Sequence, residues 1–325
     1  MMFFSIRPLL TGLAFLAGTI LPSLATTEMN ARFTTIADQY LETLLKSSPV
    51  GATRLGDHRF DQVLDEVDAA AREQKVASAK AFLEELDKLD PAALTREHQV
   101  DCRLLRLQLQ EQVWKIETLR EWEWNPLVYS ALPGNSIYVL LARESEESST
   151  RLTAAAARCR QFPRFFAQAR ESLSKEATPP IHAETAVDQN KGILKLLDGL
   201  LTPRVAELSG PEQDKLKEAI AIAKAAVEEH QQWLETELLP AARGSARLPE
   251  DLYRQKFAFD LFGGWTPEQL RARAEQAMTD LHAEMYALST RIFARRHPGF
   301  VPPDDPSAED RKKLIRACLE FACED

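Results

Sequence analysis

Apolar side chains recur at steps of three and four along almost all of this 325-residue chain, and that spacing commits it to amphipathic helices. Phe33, Ile36, Ala37, Tyr40, Leu41 and Leu44 form one such stripe. Leu216, Ile220, Ala223, Val227, His230, Leu234 and Leu238 form another. Between about 95 and 117, Leu104, Leu105, Leu107, Leu109, Val113, Trp114 and Ile116 lie on nearly all faces, which predicts a helix buried on several sides. No stretch alternates as a half-buried strand does, and no repeat of fixed period appears. The chain has 12 glycines, too few for a turn-rich all-β fold or a glycine-rich nucleotide cradle. Local punctuation agrees. Asp90-Pro91 reads as N-cap and first helical residue, Thr266-Pro267-Glu268-Gln269 as a capping box, and Asp305-Pro306-Ser307 as the opening of a last helix. That last helix carries Leu314, Ile315, Cys318 and Leu319, and the helix that Thr266 opens has an expected stripe of Leu270, Ala274, Ala277, Leu281, Met285, Leu288 and Ile292. The expectation is an all-α, multi-helix array of about ten helices, with no low-complexity linker dividing residues 26–325.

Residues 1–25 read as an export signal. Arg7 supplies the charge, Leu9 to Leu21 the apolar run, and Ser23-Leu24-Ala25 the small residues at a cleavage site after Ala25. The run is too short to span a bilayer comfortably, and no other stretch is apolar for long enough. The expected location is therefore periplasmic or secreted, with no membrane attachment after cleavage. Lys and Arg number 40 against 49 Asp and Glu, a formal charge of −9. Such a chain gains little from phosphate backbones, so nucleic acid is not expected as a partner. The four cysteines, Cys102, Cys159, Cys318 and Cys323, form no C-x-x-C pair. They read as buried small residues, with a Cys102–Cys159 bridge as the alternative.

A helical zinc hydrolase needs H-E-x-x-H, which sets two imidazoles on one helix face with a general base between them. The nearest string is His282-Ala283-Glu284-Met285-Tyr286, where a tyrosine stands in place of the second histidine. No two of the six histidines lie within five residues of one another. Neither G-x-S-x-G nor a phosphate-binding loop occurs. Two glycines, two acids, a histidine and two arginines crowd into Pro49 to Asp61, P-V-G-A-T-R-L-G-D-H-R-F-D. Gly56, Asp57, His58 and Asp61 are the candidates there for lining a substrate channel; a helix-to-turn connector is the alternative. Tyr129, beside Trp122 and Trp124, and His230, on its apolar stripe, are further candidates. For both, packing in a core is the competing reading.

Several strings occur in an order that resembles the bacterial domain of unknown function 885 family. They are Pro49 to Asp61, W-N-P-L-V-Y (Trp124 to Tyr129), Arg158 to Leu173, and W-L-E-T-E-L-L-P-A-A-R-G (Trp233 to Gly244). R-L-P-E-D-L-Y to Tyr253 and the T-P-E-Q-L helix complete the series. The resemblance implies an exported helical protein similar to zinc metallopeptidases in which two helical halves flank a deep channel. There the zinc is held by H-E-x-x-H and a further Glu in the C-terminal half. The strings match only the N-terminal half of such proteins. No catalytic residue and no metal ligand is assigned to this chain, and zinc is expected only in full-length members. The implied partners are a peptide substrate and a catalytic half on another chain. A non-catalytic binding or scaffold protein is the alternative.

Overall fold

A computed structural model describes residues 24–261 and 264–324, so the expected export signal, residues 1–25, lies almost entirely outside the described residues. Every regular element among the described residues is helical. The chain divides into two compact units, the first ending at Ala246 and the second beginning at Arg247.

The first unit opens with α1 (Leu24–Ser47), α2 (Pro49–Leu55), α3 (Ala69–Asp87) and α4 (Arg96–Trp114). Phe33, Ile36 and Tyr40 of α1 pack with Ala79 and Leu86 of α3 and with Leu105 and Leu109 of α4. Leu41 is half exposed and so is Leu104, both expected inside. The core is narrower than the apolar pattern because α3 and α4 cover α1 from one side only. Asp90 does cap, but it caps a single 3-10 turn, Pro91–Ala93; α4 itself starts after Thr95.

A second core follows, built by α5 (Glu121–Trp124), α6 (Leu127–Leu141), α7 (Ser148–Cys159), α8 (Phe162–Ser172), α9 (Pro180–Leu196) and α10 (Gly210–Trp233). Ala154, Ala155 and Ala156 of α7 and Ala219, Ala223 and Ala226 of α10 are buried in it together. Small side chains on both helices permit close approach of their backbones. Phe162, Phe165 and Phe166 of α8 fill the remaining space edge to face.

Two of these helices pass into π turns, Leu197–Leu201 after α9 and Leu234–Leu238 after α10, the latter continuing as α11 (Leu239–Ala241). The reason lies in the apolar spacing. Ile193, Leu197 and Leu201, and likewise His230, Leu234 and Leu238, follow one another at steps of four and are all buried. At 3.6 residues per turn each such step drifts about 40° around the helix. A wider π turn reverses the drift and keeps both runs on one buried face. Helices that read as continuous in sequence are thus interrupted without leaving their axis, and the short α2, α5 and α11 account for segments beyond the expected ten.

The four cysteines are free thiols. Cys102 belongs to the α1–α3–α4 core and Cys159 to the second core, where burial pushes its thiol up to about 12.

In the second unit, α12 (Glu250–Asp260), α13 (Pro267–Arg296) and α14 (Ala308–Glu324) follow. Thr266 and Gln269 form the expected capping box, and Ser307 and Asp310 bond reciprocally at the start of α14. α13 and α14 meet where the Cys318 thiol donates to the Ser289 carbonyl at 3.3 Å and where Phe293 stacks on Phe321. Leu270, Leu281, Leu288 and Ile292, expected as a buried stripe, are exposed. Within this unit α14 covers the Ser289 and Phe293 side of α13 and leaves the stripe uncovered.

Gly244 ends the first unit's last turn against the segment before α9. Its N–H donates to the Thr178 carbonyl at 2.9 Å, and a Cβ placed there would lie 1.9 Å from the Ala177 carbonyl oxygen. Backbone would have to move to admit it. Gly244→Ala is therefore expected to destabilise by about 1–3 kcal/mol, as overpacking does. Gly199→Ala, in a π turn where nothing lies within 4 Å, should be neutral or stabilising by up to about 1 kcal/mol. Urea unfolding of the two variants side by side measures the contrast; equal effects would refute it.

Candidate functional site

The polar segment from Pro49 to Asp61 folds as α2 followed by a 3-10 turn, His58–Phe60. Pro49 opens the helix, where its missing N–H is no loss. The next donor, the Val50 N–H, is taken by Asp65 at 2.9 Å, and Asp65 also accepts from the Ser48 hydroxyl at 3.3 Å. Asp65 thus caps α2 from beyond the turn. Burial raises its carboxyl pKa, against the pull of the Val50 N–H, Lys75, Ser48 and Arg158.

Gly56 stops α2 in the left-handed region, φ +93°, with open space around it, so glycine is required by torsion and not by crowding. Asp57 begins the turn by accepting from the Arg59 N–H and pairing with its guanidinium, which also grips Glu42 at 2.8 Å. Arg59 holds both carboxyls below their ordinary range. His58 Nδ1 lies 2.8 Å from one Asp61 oxygen, and the Thr53 hydroxyl donates to the other at 2.6 Å.

Thr53 connects this surface group to the interior. Its Oγ1 accepts from Arg158 Nη2 at 2.7 Å. Arg158, on α7, is wholly buried. Its Nη1 donates to the Ser136 carbonyl at 2.7 Å and its Nε to the Val63 carbonyl at 3.1 Å. One guanidinium therefore ties α2, the connector after it, α6 and α7. Desolvation draws its pKa down to about 10, with Asp61 and Asp65 opposing, and it stays charged at neutral pH. Sequence reasoning passed over Arg158. The available signal was its place between four alanines and Cys159, a charge flanked by small, apolar residues.

Tyr129 and His230 stand apart from this group, in the aromatic core. The Tyr129 hydroxyl donates to the Trp122 carbonyl at 2.7 Å and its ring meets Phe165 edge to face. His230 is stacked between Phe166, 4.4 Å away, and Trp233. Burial, with Arg170 nearby, brings its pKa down to about 3, and its Nδ1 has no hydrogen-bond partner among the described residues. The Trp122 and Trp124 indoles donate to the Ile116 and Leu119 carbonyls and fill the corner between α4 and α6.

The segment after α2 also forms the wall of a cleft of about 560 Å³. Tyr40 and Leu44 of α1, Ala79 and Phe82 of α3 and Leu109 of α4 floor it; Lys46, Glu66, Asp68 and Lys75 stand at its rim. A second cleft, about 510 Å³, lies between α2 and α6, lined by Val50, Thr53, Asp65, Leu132, Tyr138 and Arg143. Both volumes fall in the range of small-molecule sites. The zinc implied by the family resemblance finds no donor set here: among the described residues no three His, Cys, Asp or Glu side chains gather as a metal site.

Arg158→Met should destabilise the fold by about 3–5 kcal/mol, because it strands buried acceptors and two carboxylates at once. A loss below 1 kcal/mol in urea unfolding would contradict the tie described above. A second expectation concerns acid. His230 titrates near 6.5 when unfolded and near 3 when folded. Between those values only the unfolded chain takes up the proton, so stability falls as pH falls through that window. His230→Phe should remove up to about 1.4 kcal/mol per pH unit of that slope. Unfolding free energies at pH 7, 5.5 and 4.5 provide the check, and parallel curves for the two proteins would exclude it.

No protein of curated function matches. A provisionally assigned lipoprotein of unknown function from Shewanella oneidensis has a similar structure, with TM-score 0.76 and 29% sequence identity. The match covers 89% of this chain but 52% of that one, so the chain spans about half the length of its structural relative. Residues 49–319, the span that holds α2, the Arg158 tie and the π turns after α9 and α10, match one family model. The chain belongs to that family, the bacterial proteins of unknown function DUF885.

Proposed function

We propose that this chain is an exported, peptide-accommodating half of a DUF885 protein, acting from the periplasm or outside the cell, and that it does not hydrolyse peptides on its own. The observation that carries the reading is the cleft between α1, α3 and α4, whose apolar floor and polar rim suit an extended peptide. Its coverage of 52% of the Shewanella protein supports the idea of a half, since a longer relative has room for further machinery. In the two-halved zinc metallopeptidase arrangement that the sequence resembles, this half is the N-terminal wall of the channel, and the metal-bound water that attacks the peptide carbonyl belongs to the other half. The residues of this chain then bind and orient; none is assigned a proton-transfer role.

No helix of the described residues is long and apolar enough to cross a membrane, which accords with a protein exported past one. A chain of this kind should bind zinc weakly, without fixed stoichiometry, and leave a quenched-fluorescence peptide library intact with or without added zinc. Stoichiometric zinc accompanied by peptide cleavage that a chelator abolishes would overturn the reading. Separate cleavage assays after mixing with a chain bearing H-E-x-x-H test the split form of the same idea.

A further inference from the structure

The cleft of α1, α3 and α4 holds polar groups that its own packing leaves unused. Tyr40 and Phe82 meet edge to face on its floor, ring centroids 5.7 Å apart. Tyr40 is 7% exposed, and its hydroxyl is buried with no hydrogen-bond partner among the described residues. An unmade bond of that kind disfavours the empty cleft and rewards a ligand that supplies an acceptor.

The charges at the rim differ in how far they are already satisfied. Lys46 pairs with Glu42, and Glu66 pairs with Arg164. Asp68 caps α3 by accepting from the Ala71 N–H and takes a further bond from Gln168. Asp65 lies within electrostatic reach of Lys75, but its oxygens are occupied by Val50 and Ser48. The Lys75 ammonium makes no ion pair among the described residues, and it is the cation at this rim that remains to be matched.

Lys75, Ala79 and Phe82 share one face of α3, at steps of four and three. The seven steps from Lys75 to Phe82 span about 10 Å along the helix. A ligand reaching both ends therefore needs an extended body of about that length, apolar at one end and anionic at the other. In a peptide this is about three residues.

We propose that this cleft is a binding site for an apolar carboxylate, its anionic end on Lys75 and its apolar end on Tyr40 and Phe82, with the Tyr40 hydroxyl donating to a carbonyl of the ligand. The inference rests on the reading of this cleft as a peptide-binding surface for its choice of ligand, and a medium-chain fatty acid carries the same chemistry. Calorimetric titration of the purified chain with acetyl-Phe-Ala-Ala as free acid, the same tripeptide as amide, and octanoate separates these sources. The acid should bind at least tenfold more tightly than the amide. Lys75→Met should erase that preference, Lys75→Arg should keep it, and Tyr40→Phe should weaken the acid's binding; melting curves confirm that each variant is folded. Lys75-dependent binding of octanoate without the peptide acid would uphold the site and remove the peptide reading. Acid and amide binding alike, indifferent to Lys75, would overturn the inference and leave the peptide surface standing. Absence of binding by all three probes would overturn both.

Discussion

The first unit is organised around a single buried guanidinium. A positive charge in a helical core is strongly unfavourable unless it is matched by hydrogen bonds and nearby negative charge. Arg158 is matched by the Ser136 and Val63 carbonyls and by the Thr53 hydroxyl, with Asp61 and Asp65 near enough to oppose the lowering of its pKa by burial. These groups come from α6, α2 and the connector that follows α2. The planar fork of arginine reaches several acceptors in fixed directions, which the single ammonium of a lysine does not.

That dependence explains the composition of Pro49 to Asp61. Thr53 and Asp61 are there to complete the environment of Arg158, Asp57 and Arg59 to close the turn, and Gly56 to let α2 stop. Polar residues that look like a reactive cluster in the sequence are largely engaged with one another. What they provide for function is position. A connector held at Val63 and Leu64 gives the α1–α3–α4 cleft a fixed wall, and α2, capped by Asp65, does the same for the cleft toward α6. The surfaces left free to meet a ligand are then the aromatic floor and the rim, whose residues drew no attention as a motif.

Legibility in the sequence followed the range of the interaction. Caps at Thr266 and Ser307 depend on residues three apart and were readable, as was the helical class itself. The stripe of α10 was readable to Leu238, but the π turn that keeps Leu234 and Leu238 on its face was not, because steps of four suit an α-helix nearly as well over one turn. Leu41 and Leu281 show the converse limit: periodicity says which face is apolar and not whether another helix covers it. The bond from Arg158 to Thr53 joins residues 105 apart, and no local spacing encodes it. Lys75 and Tyr40 likewise become neighbours in one cleft only through the packing of α1 on α3.

Arg158 and His230 put the same physics to opposite ends. Both are buried in the second core, and burial lowers the pKa of each. Arginine begins so far above neutral pH that the lowering leaves it charged, and its partners accept from every side of the fork. Histidine begins near 6.5, meets aromatic faces in place of acceptors, feels the positive charge of Arg170, and is neutral as a result. A ring held neutral between Phe166 and Trp233 packs as an aromatic side chain, and its polarity persists only as an unpartnered Nδ1. Partner supply, more than burial, therefore decides whether a titratable residue of this fold acts as a charge. By the same criterion Lys75, an ammonium at a cleft rim with no ion pair among the described residues, is a charge left available to a ligand of that cleft.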